Sequence, residues 1–111
     1  MNFISNRTQI NKLKRVMKRA AIISGKHLMK AYKRKKVNIT EKSKKEWVTE
    51  TDLAVEKIII KELIKDYPGS NFIAEESGTN ISDPKQITWI IDPIDGTNNF
   101  ITKYPYFCIS I

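Results

Sequence analysis

The residues best suited to chemistry are carboxylates that follow two predicted strands. Glu75 and Glu76 follow one strand, and Asp92 follows the other with Asp95 three residues later. Carboxylates at the ends of neighbouring strands can converge on one crevice, where α/β sheets place their ligands. Because clustered carboxylates repel each other, we expect a cation between them. An oxygen-only donor set favours a hard ion such as Mg²⁺.

The segment from Asp92 to Thr97 adds a candidate phosphate site. Pro93 fixes a turn, and Gly96 lets the backbone approach a ligand closely. The amides of Gly96 and Thr97 can then bind phosphate oxygens, especially if a helix starts there. Two metal ions ~3.5–4 Å apart would activate a water and stabilise the leaving oxygen. The alternative is a surface turn, since Asp-Gly and Asp-Pro are common in turns.

Two helices and three strands must position these residues. Apolar residues at three- and four-residue steps predict a long amphipathic helix over roughly 9–35, with a lysine- and arginine-rich opposite face. Residues 36–48 are predicted to be irregular or extended. A second helix is predicted to open at Thr49-Glu-Thr-Asp52, with Thr49 or Thr51 as its cap, and to end before Tyr67-Pro68-Gly69.

The strands are predicted over 71–74, 87–91 and 106–111, with a polar loop over 79–86. The second strand is apolar on consecutive residues, which predicts burial on both faces and an end at Asp92-Pro93. We expect Cys108 to be a buried small hydrophobe rather than a nucleophile, because no histidine lies near it in sequence.

Charge is unevenly distributed along the 111 residues, whose net charge is +8. Residues 1–45 contain 15 Lys and Arg against one acid, whereas residues 46–111 contain 5 Lys against 11 acids. The basic part is either a solvated helix face or a surface for nucleic acid or another anionic partner. A single cysteine and the lack of a long apolar run predict a cytoplasmic protein with no membrane segment.

Three segments carry a resemblance to a known family. They are Trp47-Val-Thr-Glu-Thr-Asp-Leu-Ala-Val-Glu56, Ile73-Ala-Glu-Glu-Ser-Gly78 and Trp89-Ile-Ile-Asp-Pro-Ile-Asp-Gly-Thr-Asn-Asn-Phe100. Their order and spacing are similar to those of the inositol monophosphatase family, from about residue 10 onward. The resemblance implies an α/β fold, a layered sandwich of the sugar-phosphatase type, of which this chain holds the N-terminal portion with two helices and the start of a mixed sheet.

The same resemblance implies Mg²⁺-dependent hydrolysis of a phosphate monoester, with inositol monophosphate favoured as substrate. It assigns metal binding to Glu75, Asp92, Asp95 and the backbone carbonyl of Ile94. The loop with Gly96 and Thr97 would hold the phosphate. The resemblance implies that Asp52 is the base that acts with Thr97 on the attacking water. It also implies that Lys42, in a loop, is a further catalytic residue. The residues that would lie beside the substrate phosphate are Glu75, Ile94 and Asp95.

The family pattern also continues beyond what this sequence contains. A further metal-binding aspartate in a Trp-Asp motif and the inositol-contacting residues are not found here. We therefore expect residues 1–111 to be a partial domain, with a basic helical arm over 1–45 and a metal- and phosphate-motif region over 46–111. The expectation is a truncated bacterial phosphatase, inactive unless a separate C-terminal fragment or a second copy completes it.

Two alternatives remain. The chain could be a non-catalytic remnant. It could also be an RNA or transcription-complex interaction protein that uses its basic N-terminal helix, since bacterial relatives of this family are associated with ribosomal RNA transcription complexes.

Overall fold

The computed structural model describes residues 6–34 and 41–111, and for residues 41–43 it describes the backbone alone. In chain order the elements are α1 (Arg7–Tyr32), α2 (Glu41–Asp66), β1 (Asn71–Ala74), β2 (Gly78–Asn80), β3 (Thr88–Asp95), α3 (Thr97–Ile101) and β4 (Cys108–Ser110). Helix α2 packs against a four-stranded sheet, α1 packs along α2, and a short helix precedes the last strand. Within the described ranges, no helix has an apolar stretch long enough to cross a membrane.

Helix α1 confirms the amphipathic helix predicted from the apolar spacing. Asn6 caps it, because its side-chain oxygen accepts a hydrogen bond from the Gln9 amide at 2.8 Å. The residues that α1 buries recur at four-residue steps, and they are Val16, Ala20, Ser24 and Leu28. The predicted apolar face was too long at its start, because Ile10 is 40% exposed.

Helix α2 begins at Glu41, so the prediction of an irregular segment up to residue 48 was wrong for residues 41–48. The predicted caps are interior residues. The hydroxyl of Thr49 donates to the Lys45 carbonyl at 2.9 Å, and that of Thr51 donates to the Trp47 carbonyl at 2.7 Å. Trp47 and Val48 lie on the buried face that continues through Val55, so packing extends the helix towards the N-terminus. The division between residues 45 and 46 falls inside α2.

Arg19, which the helical spacing places on the basic face of α1, joins the two long helices. Its Nη2 atom lies 2.6 Å from Asp66 Oδ2 and donates to the Glu62 carbonyl at 2.7 Å. Its Nε atom donates to Glu62 Oε2 at 3.1 Å, and Lys65 binds the other oxygen of Glu62 at 2.7 Å. This planar, forked contact fixes α1 against the C-terminal turns of α2.

The sheet has the strand order β2-β1-β3-β4. Strands β1 and β3 are parallel, and the two outer pairs are antiparallel. One face packs towards α2 and buries Trp89 and Ile91. The other face exposes Ile90, which is 68% exposed, and Ile73. The prediction that the 87–91 strand is buried on both faces was therefore wrong, because within the described chain only one face is covered.

The strand bounds also differ from those predicted. Strand β3 continues to Asp95 instead of ending at Asp92-Pro93, because a bulge lies between Asp92 and Asp95 where β3 pairs with β4. A proline that lacks its amide hydrogen is tolerated at such a bulge. Strand β2 occupies the start of the predicted polar loop. Strand β4 is shorter than the predicted strand over 106–111.

Phe100 anchors the short helix α3 in the core. Its side chain is 0% exposed. Its ring stacks on Trp47 at a centroid distance of 4.8 Å and lies 5.3 Å from Phe107 and 5.6 Å from Tyr32. The next turn is tied to α1, because the Tyr32 hydroxyl donates to the Lys103 carbonyl at 2.9 Å and the Lys103 ammonium donates to the Tyr32 carbonyl. These aromatic contacts connect both long helices to the segment that follows β3.

We predict that Phe100→Ala lowers the free energy of unfolding by about 3–5 kcal/mol, because it leaves a cavity among three aromatic rings. Urea unfolding followed by tryptophan fluorescence measures the change. Tyr104→Ala is the control, since Tyr104 is 61% exposed and its truncation should change the free energy by less than ~0.5 kcal/mol. Equal losses in the two variants would contradict the anchoring role.

Candidate functional site

The predicted convergence of carboxylates is confirmed for β1 and β3. Ala74 pairs with Ile91, and the Glu75 amide donates to the Ile91 carbonyl at 3.2 Å. This parallel register places Glu75 beside Asp92, where β1 ends and its pairing with β3 stops, at the edge at which α/β sheets bind ligands.

Hydrogen bonding to the Asp92 carboxylate is the main cause that raises the pKa of Glu75 to about 7, and the negative charge of Asp92 adds to it. Asp92 Oδ1 is buried and has no hydrogen-bond partner within the described chain. A buried acceptor of this kind is open to a further ligand.

Asp52 brings a third carboxyl group to this edge from helix α2. It is 7% exposed. Burial is the main cause that raises its pKa to about 7, and the charges of Glu76, Glu75 and Asp92 add to it. Acidic groups whose pKa values rise together hold more negative charge at neutral pH than their surroundings stabilise.

The donor chemistry at this edge fits a hard divalent cation, because the acids supply oxygen atoms and one buried oxygen lacks a partner. The geometry fits less well. No group of three or more His, Cys, Asp or Glu side chains has an arrangement that could hold a metal in the described parts of the chain.

Gly96 cannot be replaced by a larger residue without strain. Its φ is +94°, in the left-handed region. A Cβ atom there would lie 3.0 Å from the Tyr106 carbonyl oxygen and 3.3 Å from Phe107 Cα. Helix α3 begins at the next residue, Thr97, so the condition under which the sequence favoured phosphate binding by these amides is met. The loop before β4 thus sits directly against the Asp-Gly-Thr turn.

The predicted catalytic residues are not all brought together. The Thr97 hydroxyl, predicted to be catalytic, donates to the Ile94 carbonyl at 3.1 Å, and that carbonyl is itself a predicted metal ligand. No hydrogen bond joins Thr97 to Asp52 in the part of the chain that the structure describes. The side chain of Lys42 lies outside the described residues.

Asp95 and Cys108 lie together on the outer side of the bulge. Asp95 is exposed, and its Oδ2 atom lies 3.9 Å from Cys108 Sγ. Both residues line a cleft of about 550 Å³ together with Gly96, Asn99 and residues 105–107. The prediction of a buried Cys108 was wrong, because alternation along β4 directs it away from the core. Loss of hydration at the sulfur and the charges of Asp95 and Asp92 raise the pKa of the thiol, which lowers its reactivity.

Glu56 is a residue of this edge to which the sequence assigned no role. It is 2% exposed, and its carboxylate accepts hydrogen bonds from the amides of Glu76 and Ser77 at 3.0 Å each. The sequence does contain a signal for this role. Glu56 is an acid on the helix face that also carries the buried Val55 and Ile59, and no basic residue lies one turn away on either side. A buried acid in that position must find its donors elsewhere in the fold.

The fold and the ordered motifs place the chain among layered α/β proteins that carry carboxylates beside a Gly-Thr turn. The chain belongs to the inositol monophosphatase family, which it matches over residues 9–111. A Vibrio cholerae protein named Nus factor SuhB is 39% identical over 94 residues, which cover 84% of this chain and 35% of that protein. The Escherichia coli K12 protein of the same name is 41% identical over 75 residues, which cover 68% of this chain and 28% of that protein.

Solved structures of the family share the fold. The extragenic suppressor protein suhB from Bartonella henselae has a TM-score of 0.73 and 34% identity, covering 88% of this chain and 37% of its own. Inositol monophosphatase from Anabaena has a TM-score of 0.71 and 27% identity, and the match covers 91% of this chain and 34% of that one. A 2'AMP-bound SaIMPase-II has a TM-score of 0.62 and 29% identity, and the match covers 93% of this chain and 35% of that one. The chain spans about a third of the length of the curated relatives it matches.

We predict that the free energy of unfolding falls as pH rises from 5 to 8. The folded chain keeps protons on Asp52 and Glu75 up to about pH 7, whereas the unfolded chain loses them near pH ~4. The folded state therefore binds more protons in this window, and stability is lost as the acids ionise. Replacing Asp52 by Asn should remove about 2–3 kcal/mol of that decline.

Urea unfolding at four pH values measures this slope. Glu50→Gln is the control, because Glu50 is an exposed acid on the same helix. Added Mg²⁺ should reduce the decline in the parent chain more than in Asp52→Asn, since a cation relieves the same repulsion. Parallel pH profiles for the parent and Asp52→Asn would show that Asp52 does not carry the excess charge.

Proposed function

We propose that this chain supplies the N-terminal share of the active site of a Mg²⁺-dependent phosphate-monoester hydrolase. The observation that carries the proposal is the parallel register of β1 and β3, which places Glu75 beside Asp92, with Asp52 nearby on α2. These acids meet at one edge of the sheet in a chain of the inositol monophosphatase family. A cation there would neutralise their excess charge.

The residues that would hold Mg²⁺ are Glu75, Asp92, Asp95 and the carbonyl oxygen of Ile94. When bound, the metal would polarise the phosphate and lower the pKa of a bound water. The hydroxyl of Thr97 donates to the Ile94 carbonyl at 3.1 Å, so these two predicted site residues lie together. Thr97 would orient the attacking water.

Asp52 would take the proton of that water. A pKa raised to about 7 suits a general base at neutral pH, because the group is then ionised in part and still basic enough to accept a proton. The amides of Gly96 and Thr97 would hold the phosphate, and Glu75, Ile94 and Asp95 would lie beside it. Lys42 stays a predicted second catalytic residue.

The substrate would be a phosphorylated small molecule, with inositol monophosphate favoured by the similarity to an inositol monophosphatase. A nucleotide 2'-phosphate is the competitor to test, since a related structure holds 2'AMP. If the chain acts alone, a separate C-terminal fragment or a second copy would have to complete its site. We also infer a reducing, cytoplasmic setting, because the chain has one cysteine and its named relatives are bacterial.

We predict that the 111-residue chain alone releases little phosphate, because no three carboxylates of its described part are arranged for a metal. A chimera in which it replaces the matching third of the Anabaena enzyme should regain Mg²⁺-dependent release. In the chimera, Asp92→Asn should lower the rate by ~100-fold or more, while Glu50→Gln should leave it unchanged. Phosphate release from inositol monophosphate and 2'AMP, with and without EDTA, measures this.

Two outcomes would count against the proposal. An Asp92→Asn chimera as active as its parent would remove Asp92 from the metal site. A folded but inactive parent chimera would show that this chain does not supply its share of the site. Strong, EDTA-sensitive release by the 111-residue chain alone would refute the prediction of low activity.

A second candidate function is RNA or transcription-complex binding through α1. Its exposed face is strongly basic, with Lys12, Lys14, Arg15, Lys18, Lys26, Lys30 and Lys33. The relatives named Nus factor SuhB favour this function. A basic helix face binds nucleic acid through phosphates, and such binding alone carries no sequence preference.

We predict that exchanging Lys14, Lys18 and Lys26 for Gln weakens RNA binding, because each lysine contributes to phosphate contacts. Lys57, Lys61 and Lys85, which are exposed outside α1, form the control triple. Fluorescence anisotropy at several salt concentrations measures the affinity. A specific role requires preference for one RNA over random sequence near 150 mM salt. Equal losses from the two triples, without preference, would leave only a charged surface.

A further inference from the structure

A buried acid outside the family-derived site residues contacts the turn that carries Glu75. Glu56 lies one helical turn after Asp52 on α2, and the pair therefore faces the same edge of the sheet. The turn between β1 and β2 consists of Glu75, Glu76 and Ser77. Those three residues are exposed, whereas the Glu56 side chain that supports them is 2% exposed.

Both carboxylate oxygens of Glu56 are used by this turn. Oε2 accepts from the Glu76 amide at 3.0 Å, and Oε1 accepts from the Ser77 amide at 3.0 Å. The hydroxyl of Ser77 also donates to Oε1. Bonds from amides and a hydroxyl to a carboxylate are charge-assisted, and they are stronger than bonds between neutral groups.

No lysine or arginine of the described chain forms an ion pair with Glu56. The usual way to stabilise a buried carboxylate is therefore replaced by backbone and hydroxyl donors. Since all of these donors belong to one turn, the free energy that keeps Glu56 buried depends on the position of that turn. The dependence is mutual, because the same hydrogen bonds from Glu56 hold the turn in place against α2.

We propose that Glu56 is a positioning residue, which holds the Glu75–Ser77 turn so that the Glu75 carboxylate stays beside Asp92. The inference rests on the proposed function, because its consequence is a higher affinity of the site for Mg²⁺. Groups that orient metal ligands through hydrogen bonds typically change metal affinity by about 10- to 100-fold when they are removed.

The test uses the full 111-residue chain and two readouts. Amide hydrogen exchange of Glu76 and Ser77, followed by NMR, reports on the turn without any metal. Titration with Mg²⁺, followed by amide shifts near Asp92, reports on cation affinity. In Glu56→Gln one oxygen acceptor becomes an NH₂ donor that faces an amide, so exchange at Glu76 and Ser77 should accelerate by about 10-fold or more and Mg²⁺ affinity should fall by about 10- to 100-fold.

Glu62→Gln is the matched control, because Glu62 is a buried acid on the same helix whose partners are Arg19 and Lys65. It should destabilise the whole chain without a local change at the turn. Ser77→Ala keeps Glu56 and removes one donor, so it should give a smaller effect in the same direction. This second variant preserves the test if Glu56→Gln does not fold.

The outcomes separate this inference from the proposed function. Selective deprotection of the turn and weaker Mg²⁺ binding in Glu56→Gln would support both. If the turn in Glu56→Gln and Ser77→Ala exchanges no faster than in Glu62→Gln, the positioning role is overturned whatever the metal does. If the parent chain and the chimera described above both fail to bind Mg²⁺, the proposed function falls, while the exchange data still decide whether Glu56 holds the turn.

Discussion

Repulsion among Asp52, Glu75 and Asp92 is the constraint around which the rest of the fold is arranged. The packing of α2 on the sheet brings these acids together, and the apolar contacts of Val55, Ile59 and Leu63 must offset the cost. The mutual repulsion contributes to the raised pKa values of Asp52 and Glu75, each of which is about 7. A site in this state favours positive charge, because a proton and a cation both reduce the repulsion between the acids.

Most of the basic half of the sequence that the structure describes lies in helix α1. Helix α1 packs along α2, and Arg19 fixes it to Glu62 and Asp66. The lysines of α1 therefore lie on a rigid helical surface, whereas the acids gather at the edge formed by β1 and β3. The uneven charge of the sequence becomes two separate surfaces, and the two candidate functions concern different ones.

The sequence predicted those features that depend on local periodicity or on strand direction. The buried face of α1 followed from its spacing, and the meeting of Glu75 with Asp92 followed because parallel strands end at the same edge. The start of α2 was missed because Trp47-Val48, aromatic and β-branched, favours a strand locally, and tertiary packing overrides that preference. The path of β3 past Pro93 depends on a bulge against β4, and the partners of Glu56 lie 20 and 21 residues away. Neither has a local signal.

The Arg19 contact also bears on the order in which the chain can fold. The two long helices are complete once residue 66 has been synthesised, and the Arg19–Glu62 bond joins one helix to the other across 43 positions of the sequence. The sheet needs residues up to Ser110, and its acidic edge joins segments that emerge later. During synthesis the helical pair can therefore form before the mutually repelling acids meet. The helices would then serve as the template on which the charged edge closes.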